Sequence, residues 1–191
     1  MFMAYTPQDF STLLGLPGFS DQLLQNHFKL YEGYVTNTNK LTDLFKTLDK
    51  TTPEYAELKR RFGWEFNGMR LHELYFANMT KTSAPLSEGS ALLAKIVETW
   101  GSFEAWQEDF QKTSAMRGIG WTILYRDPVS GDLFNAWINE HDVGHLAGGE
   151  PLLVLDVFEH AYMLDYGVNR ADYIAAFFKV IDWEATEKRF V

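Results

Sequence analysis

Two long helical stripes followed by three short β-prone runs predict an α+β fold. The N-terminal part reads as a long α-helical hairpin, and the C-terminal part as an α/β domain with a small, about three-stranded antiparallel sheet flanked by helices. The expected division is 1–86 and 87–191, inside the linker running from Lys81 through Pro85 and Gly89 to Ser90. With 191 residues, 46% of them hydrophobic and 23% charged, the chain can bury one shared core.

The first stripe starts after Ser20, a favoured helix-capping type, and carries Leu23, Leu24, Leu30, Tyr31, Tyr34, Val35, Leu41, Leu44, Phe45 and Leu48. Spacings of three, four and seven place these on one helical face. Thr51-Thr52-Pro53 breaks the run. A second helix is expected from Pro53 to Thr80, with Leu58, Phe62, Leu71, Tyr75 and Met79 in its stripe. Shorter helices follow over Ser90 to Trp100 and Ser102 to Lys112. The texture then changes. Gly120 to Tyr125 is β-prone, Asp127-Pro128-Val129-Ser130-Gly131-Asp132 is a turn, and Leu133 to Asn139 is the returning strand. Pro151 to Asp156 is almost wholly apolar, as a buried strand requires. The tail from Val157 to Phe190 reads as helical.

Composition excludes whole classes of function. Net charge is −9 and no basic run occurs, which disfavours binding to a phosphate backbone; no nucleic-acid partner is expected. Absence of cysteine removes disulfides, thiolate nucleophiles, iron–sulfur clusters and Cys-based zinc sites. No apolar stretch approaches the roughly 20 residues of a membrane span, and Met1 to Pro7 lacks a basic-then-apolar leader pattern. These features fit a cytoplasmic location with no membrane partner.

Five histidines, at 27, 72, 141, 145 and 160, limit where imidazole chemistry resides. Asp156 closes the apolar strand and His160 follows four residues later. A strand end that turns into a helix aims both groups at one point, and a buried Asp there needs a partner. The alternative is an Asp capping the next helix. His27 shares a face with Leu30, Tyr31 and Tyr34, and His72 shares one with Gly68, Tyr75 and Met79. Taken singly, each is more often a core histidine bonded to a carbonyl. Taken together, three apolar-face histidines on separate helices and one strand-end Asp form a His₃Asp set suited to iron, manganese or zinc, not calcium or magnesium.

These residues also carry a resemblance. Asp156-Val157-Phe158-Glu159-His160-Ala161-Tyr162 resembles the D-V-W-E-H-A-Y signature of the iron/manganese superoxide dismutases, with Phe158 in the Trp place. Asn169-Arg170-Ala171-Asp172-Tyr173, Gly118-Ile119-Gly120-Trp121, Tyr34 to Asn39 and His72-Glu73-Leu74-Tyr75-Phe76 resemble further stretches of that family in the same order. The resemblance implies one iron or manganese ion per subunit, bound by His27, His72, Asp156 and His160 and cycling between +3 and +2. Superoxide would be disproportionated to dioxygen and hydrogen peroxide. It implies a gateway role for Tyr34, which relays protons, and an aromatic surround of Trp121, Phe158, Tyr75 and Phe76. It also implies a homodimer (or a tetramer built from it) with Glu159 and Tyr162 at the interface. Against a net charge of −9, Lys29 or Arg170 would steer the anionic substrate.

The chain departs from the family in three places. His27 lies seven residues before Tyr34, where most relatives have eight; seven keeps both on one face without a bulge, so the first helix is expected to be regular. Leu30 and Tyr31 stand where the family often has a histidine pair. Relatives also place a Gln against the bound solvent, either four residues before the second ligand, here Gly68, or on the approach to the third motif. In that second stretch, Asn139-Glu140-His141-Asp142, His141 takes the Gln place, as in some archaeal-type relatives, and would tune the metal. His145 matches no motif and reads as a loop residue. Two other classes of function share the residue pattern: a non-haem iron oxygenase and a non-catalytic metal-binding protein on the same fold.

Overall fold

The computed structural model describes residues 4–190; Met1 to Met3, where the leader reading begins, and Val191 lie outside the described residues. Among the described residues no helix is long and apolar enough to cross a membrane. Helix α1 spans Asp21–Thr47 without interruption, as the seven-residue spacing of His27 and Tyr34 requires. Ser20 caps it: its hydroxyl accepts the Leu23 N–H at 3.1 Å, satisfying one of the free amides of the first turn. Helix α2, Pro53–Phe76, begins the same way, with Thr52 accepting from Tyr55 N–H and Pro53 in the first turn, where its missing N–H costs nothing. The two helices pack as the expected hairpin.

Helix α2 stops at Phe76, four residues short of the sequence expectation. The reason is tertiary. Asn78 donates its amide to Val154 O at 2.8 Å, and Met79 pairs with Ile181 as an isolated bridge. Backbone bonds from Thr80 N–H to Val180 O and from Asp182 N–H to Asn78 O fix the strand-like crossing. Those partners lie at least 76 residues further along the chain and leave no trace in local periodicity.

Helices α3 (Ala91–Trp100) and α4 (Phe103–Ser114) are capped by Ser90 and Ser102 and separated by Gly101, whose φ of 86° ends α3 in the left-handed region. Strands β1 (Gly120–Arg126), β2 (Leu133–Asn139) and β3 (Glu150–Asp156) form a three-stranded antiparallel sheet in the order β2-β1-β3. The central strand is buried from Gly120 to Tyr125, so both its faces are apolar and no alternation shows in its sequence. Gly120 has φ 148°, and a Cβ there would lie 1.9 Å from Ile138 O; only glycine fits this close approach of β1 to the end of β2.

The tail is helical in pieces. A single 3₁₀ turn at Glu159–Ala161 is followed by α5 (Met163–Tyr166), α6 (Arg170–Phe178) and α7 (Trp183–Phe190). The main core lies between the α1–α2 hairpin, the sheet and α6, with Trp106, Trp121, Tyr31, Tyr75, Tyr173, Phe76, Phe110 and Phe177 fully buried.

Gly68 sets how α1 meets α2. A Cβ at this position would lie 2.6 Å from Tyr34 Cδ1 and 2.8 Å from Tyr34 Cε1, so the Tyr34 ring occupies the space a side chain would need. Helix propensity alone favours alanine over glycine by about 1 kcal/mol. We expect Gly68→Ala instead to destabilise by about 1–3 kcal/mol through overpacking. In a Tyr34→Ala background the same change should become neutral or stabilising, and thermal unfolding of the four proteins measures the difference.

Candidate metal centre

His27 and His72 enter the site from facing sides of the helical hairpin, Asp156 from the end of β3, and His160 from the 3₁₀ turn that follows. One ligand atom from each of the four lies within 4.8 Å of all the others. His27 Nε2, His72 Nε2 and His160 Nε2 stand 3.2, 3.6 and 3.1 Å from a single atom, Asp156 Oδ2. Asp156 itself is fully buried.

The surroundings fix how each ligand is presented. Asp156 Oδ1 accepts the Phe158 N–H at 2.8 Å, which leaves Oδ2 for the histidines. Tyr173 donates to the Asp156 carbonyl at 2.7 Å, and Tyr75, 3.0 Å from the Tyr173 hydroxyl, must donate to it in turn. His72 Nδ1 lies 2.5 Å from the Gly68 carbonyl. A carbonyl only accepts, so the proton of His72 is on Nδ1 and Nε2 is a bare lone pair.

That lone pair points at a carboxylate oxygen, an arrangement that repels until a cation lies between. His27 Nε2 and His72 Nε2 are also buried polar atoms without a hydrogen-bond partner. Burial lowers both imidazoles below their ordinary pKa, so they are neutral at pH 7. Burial opposes ionisation of Asp156, but the His160 ring beside it overrides this and holds the carboxyl well below the usual carboxylate range. Two neutral imidazoles, a third at the site's edge and one carboxylate form a donor set that fits a divalent or trivalent transition-metal ion.

Aromatic rings close around these four. Phe76 and Tyr75 lie 4.9 and 5.4 Å from the His27 ring, Trp121 lies 5.0 Å from His72, and Phe158 stacks 5.1 Å from His160. Trp121 sits directly opposite Asp156 across the β1–β3 pair. Tyr34 stacks on His72 at 5.1 Å, and its hydroxyl is 2.8 Å from His141 Nε2. Burial, with the charges of Asp156 and Glu65 adding to it, raises the Tyr34 pKa well above that of a free phenol.

His141 is fully buried, not a surface turn residue. Both ring nitrogens are occupied. The Trp121 indole N–H donates to His141 Nδ1 at 3.0 Å, so in the neutral ring the proton must be on Nε2, aimed at Tyr34 Oη. Burial pushes the His141 pKa down to about 4, which keeps the ring neutral and this tautomer in place.

Glu159 is exposed and His160 half-buried beside it, while Tyr162 is buried and receives the Arg170 Nε–H at 3.3 Å. Arg170 also donates to the carbonyls of Met116 and Gly118 at 2.7 and 2.8 Å, and among the described residues it makes no ion pair. Lys29 is exposed and paired with Glu32 at 2.6 Å.

Two residues of the site carried no motif. Trp64 lies 4.4 Å from the His141 ring and 5.6 Å from Tyr34, and its indole N–H donates to Glu140 at 3.1 Å. The available signal was the run Trp64, Gly68, His72 at successive helical turns. His145 lies in a loop, as expected, and its ring bonds to the His141 carbonyl.

Comparison with known proteins agrees with this geometry. The family model described as iron/manganese superoxide dismutases, C-terminal domain, matches residues 87–189. A relative from Haloferax volcanii named as a manganese superoxide dismutase is 35% identical over 91% of this chain and 88% of its own length. One from Aquifex pyrophilus named as an iron superoxide dismutase is 36% identical over 96% and 90%, and one from Saccharolobus solfataricus, also named for iron, is 34% identical over 91% and 86%. With a matching domain, similarity along almost the whole chain and a converged His₃Asp cluster, this chain belongs to the iron/manganese superoxide dismutase family.

Proposed function

We propose that the protein disproportionates superoxide, converting two superoxide anions and two protons to dioxygen and hydrogen peroxide, with one iron or manganese ion held by His27, His72, Asp156 and His160. The observation that carries this reading is the convergence of three imidazole Nε2 atoms on one carboxylate oxygen. When bound, the ion supplies one-electron chemistry by alternating between +3 and +2. The protein's part is to hold the ligands, exclude water with aromatic rings, and deliver protons.

Proton delivery falls to Tyr34. His141 Nε2–H satisfies the Tyr34 oxygen as an acceptor, so the phenolic proton itself is free to be given away. The raised pKa of Tyr34 keeps that proton in place at neutral pH. A glutamine in this position has two amide N–H groups; the neutral imidazole has one, and it is committed to Tyr34. His141 is therefore assigned to ordering Tyr34. Anion guidance is assigned to Arg170 more than Lys29, because Glu32 neutralises Lys29.

The same reading assigns a homodimer. Glu159, Tyr162, Arg170, Met116 and Val168 line one hollow, and Met116, Met163, Leu164 and Val168 are exposed apolar side chains around it. In the assembly each Glu159 would accept from the partner's His160. Sedimentation should give a dimer, and Glu159→Ala should weaken it; a fully active monomer would contradict the assignment.

Alanine at any one of residues 27, 72, 156 or 160 should lower metal content and abolish superoxide consumption, read by metal analysis beside the activity assay on protein from iron-rich and manganese-rich media. A fully loaded, active His27→Ala protein would remove the proposed ligand set.

Tyr34→Phe should keep the metal yet slow turnover at high superoxide, where proton supply limits the rate. His141→Gln should retain metal and shift its reduction potential. His141→Ala, which leaves the Tyr34 oxygen and the Trp121 N–H without a partner, should cost about 1–3 kcal/mol. Turnover unchanged across pH in Tyr34→Phe would remove the relay role.

A further inference from the structure

The loop between β2 and β3 is exposed at Asp142, Val143 and Gly144, yet it carries His141 into the core. Something must hold the loop to hydrogen-bond tolerance. From the N-terminal side, Glu140 N–H donates to Ile119 O at 3.0 Å, and the Glu140 carboxylate accepts from Trp64. Glu140 has φ 51°, a left-handed conformation that needs such anchoring. On the C-terminal side the Asn139–Val143 backbone pair closes the turn, and His145 ties it to β1. Its Nε2 is 2.9 Å from the His141 carbonyl oxygen, and its Nδ1 is 2.7 Å from Tyr125 Oη on β1.

The shorter contacts fix the acceptor and donor roles. The His141 carbonyl only accepts, so His145 Nε2 bears the proton and donates. In the neutral ring Nδ1 is then an acceptor, and the Tyr125 hydroxyl donates to it. Asn67 Nδ2, 3.4 Å from the same Nε2, is also a donor and therefore makes no hydrogen bond to it in this tautomer. Tyr125 belongs to the central strand, is 3% exposed, and keeps its phenolic proton because burial raises its pKa to about 12.

We propose that His145 is a positioning residue for the reaction: it ties the His141 backbone to Tyr125 of β1 and thereby aims the His141 imidazole between Trp121 and Tyr34. The chain of contacts runs Tyr125 hydroxyl, His145 ring, His141 carbonyl, His141 ring, Tyr34 hydroxyl. Both ends of the His141 ring depend on where its backbone sits, because the ring touches β1 through Trp121 and α1 through Tyr34. Tyr125 and Trp121 are on the same strand, so His145 references the position of His141 to the strand that also presents its indole partner. This inference rests on the assignment of His141 to ordering Tyr34.

The test uses the full chain loaded with zinc, a diamagnetic ion this donor set accepts, so that nuclear magnetic resonance reads the Trp121 indole N–H directly. Solvent exchange of that proton should be roughly tenfold faster in His145→Ala and in Tyr125→Phe, the change expected from loosening one hydrogen bond. His145→Gln should restore slow exchange, because the amide O–C–N places acceptor and donor as the ring's Nδ1–Cε1–Nε2 does. In the iron- or manganese-loaded protein, His145→Ala should slow turnover alone but add nothing in a His141→Ala background. Exchange within about twofold of the unsubstituted protein in both His145→Ala and Tyr125→Phe would overturn the proposal. So would effects of His145→Ala and His141→Ala on turnover that multiply. If His145→Ala does not fold, Tyr125→Phe carries the same measurements from the other end of the contact. Failure of the His141 assignment itself is separable: His141→Ala would then leave turnover unchanged, while the indole exchange still reports on His145.

Discussion

One carboxylate oxygen organises this protein. Asp156 Oδ2 faces three imidazole nitrogens, and the rest of the fold arranges for those four groups to arrive together in a dry interior. A buried carboxylate with no partner is among the most costly features a chain can carry. Here its other oxygen is satisfied by a backbone amide, its own carbonyl by Tyr173, and Tyr173 by Tyr75. The secondary structure follows from the same need. Strand β3 must be apolar up to Asp156 to bury it, α1 and α2 must be long enough to present His27 and His72 to it from outside, and the chain must turn at once after β3 to return His160.

A second, neutral layer governs proton position instead of charge. His141, Trp121 and Tyr34 are linked by two hydrogen bonds whose directions are fixed by chemistry, since an indole nitrogen only donates and a neutral imidazole donates once. The low pKa of His141 is part of this arrangement: a protonated ring would set an Nδ1–H against the Trp121 N–H. Burial thus does for His141 what an amide would do by composition, keeping it uncharged while it holds a neighbour in place.

Much of this was readable in the sequence because its causes are local. Serines and a threonine before α1 to α4 mark their starts, and the Asp156–His160 spacing marks a strand that turns into the site. What was not readable has partners far away in the chain. The end of α2 is set by pairing of Met79 with Ile181, and the tail breaks between α6 and α7 where that pairing is made. His145 looked idle because its two partners are a backbone carbonyl and a tyrosine on another strand, neither of which leaves a spacing pattern. Position 141 pointed to a tuning residue, but that both its nitrogens are committed, and to which groups, emerges only from three dimensions.

The four converging side chains come from α1, α2, the end of β3 and the turn after it, so they span most of the length of a chain that has no cysteine. An ion held by all four would act as a cross-link. Tying together points about 100 residues apart removes loop-closure entropy from the unfolded chain, an effect on the order of 4–5 kcal/mol for a covalent bridge. A covalent bridge between two cysteines joins two points of a chain and requires an oxidising compartment; a coordinate bond network joins four and does not. In this protein the feature that organises the chemistry is thereby placed to serve as its staple, making conformational stability a function of how much ion the surroundings supply.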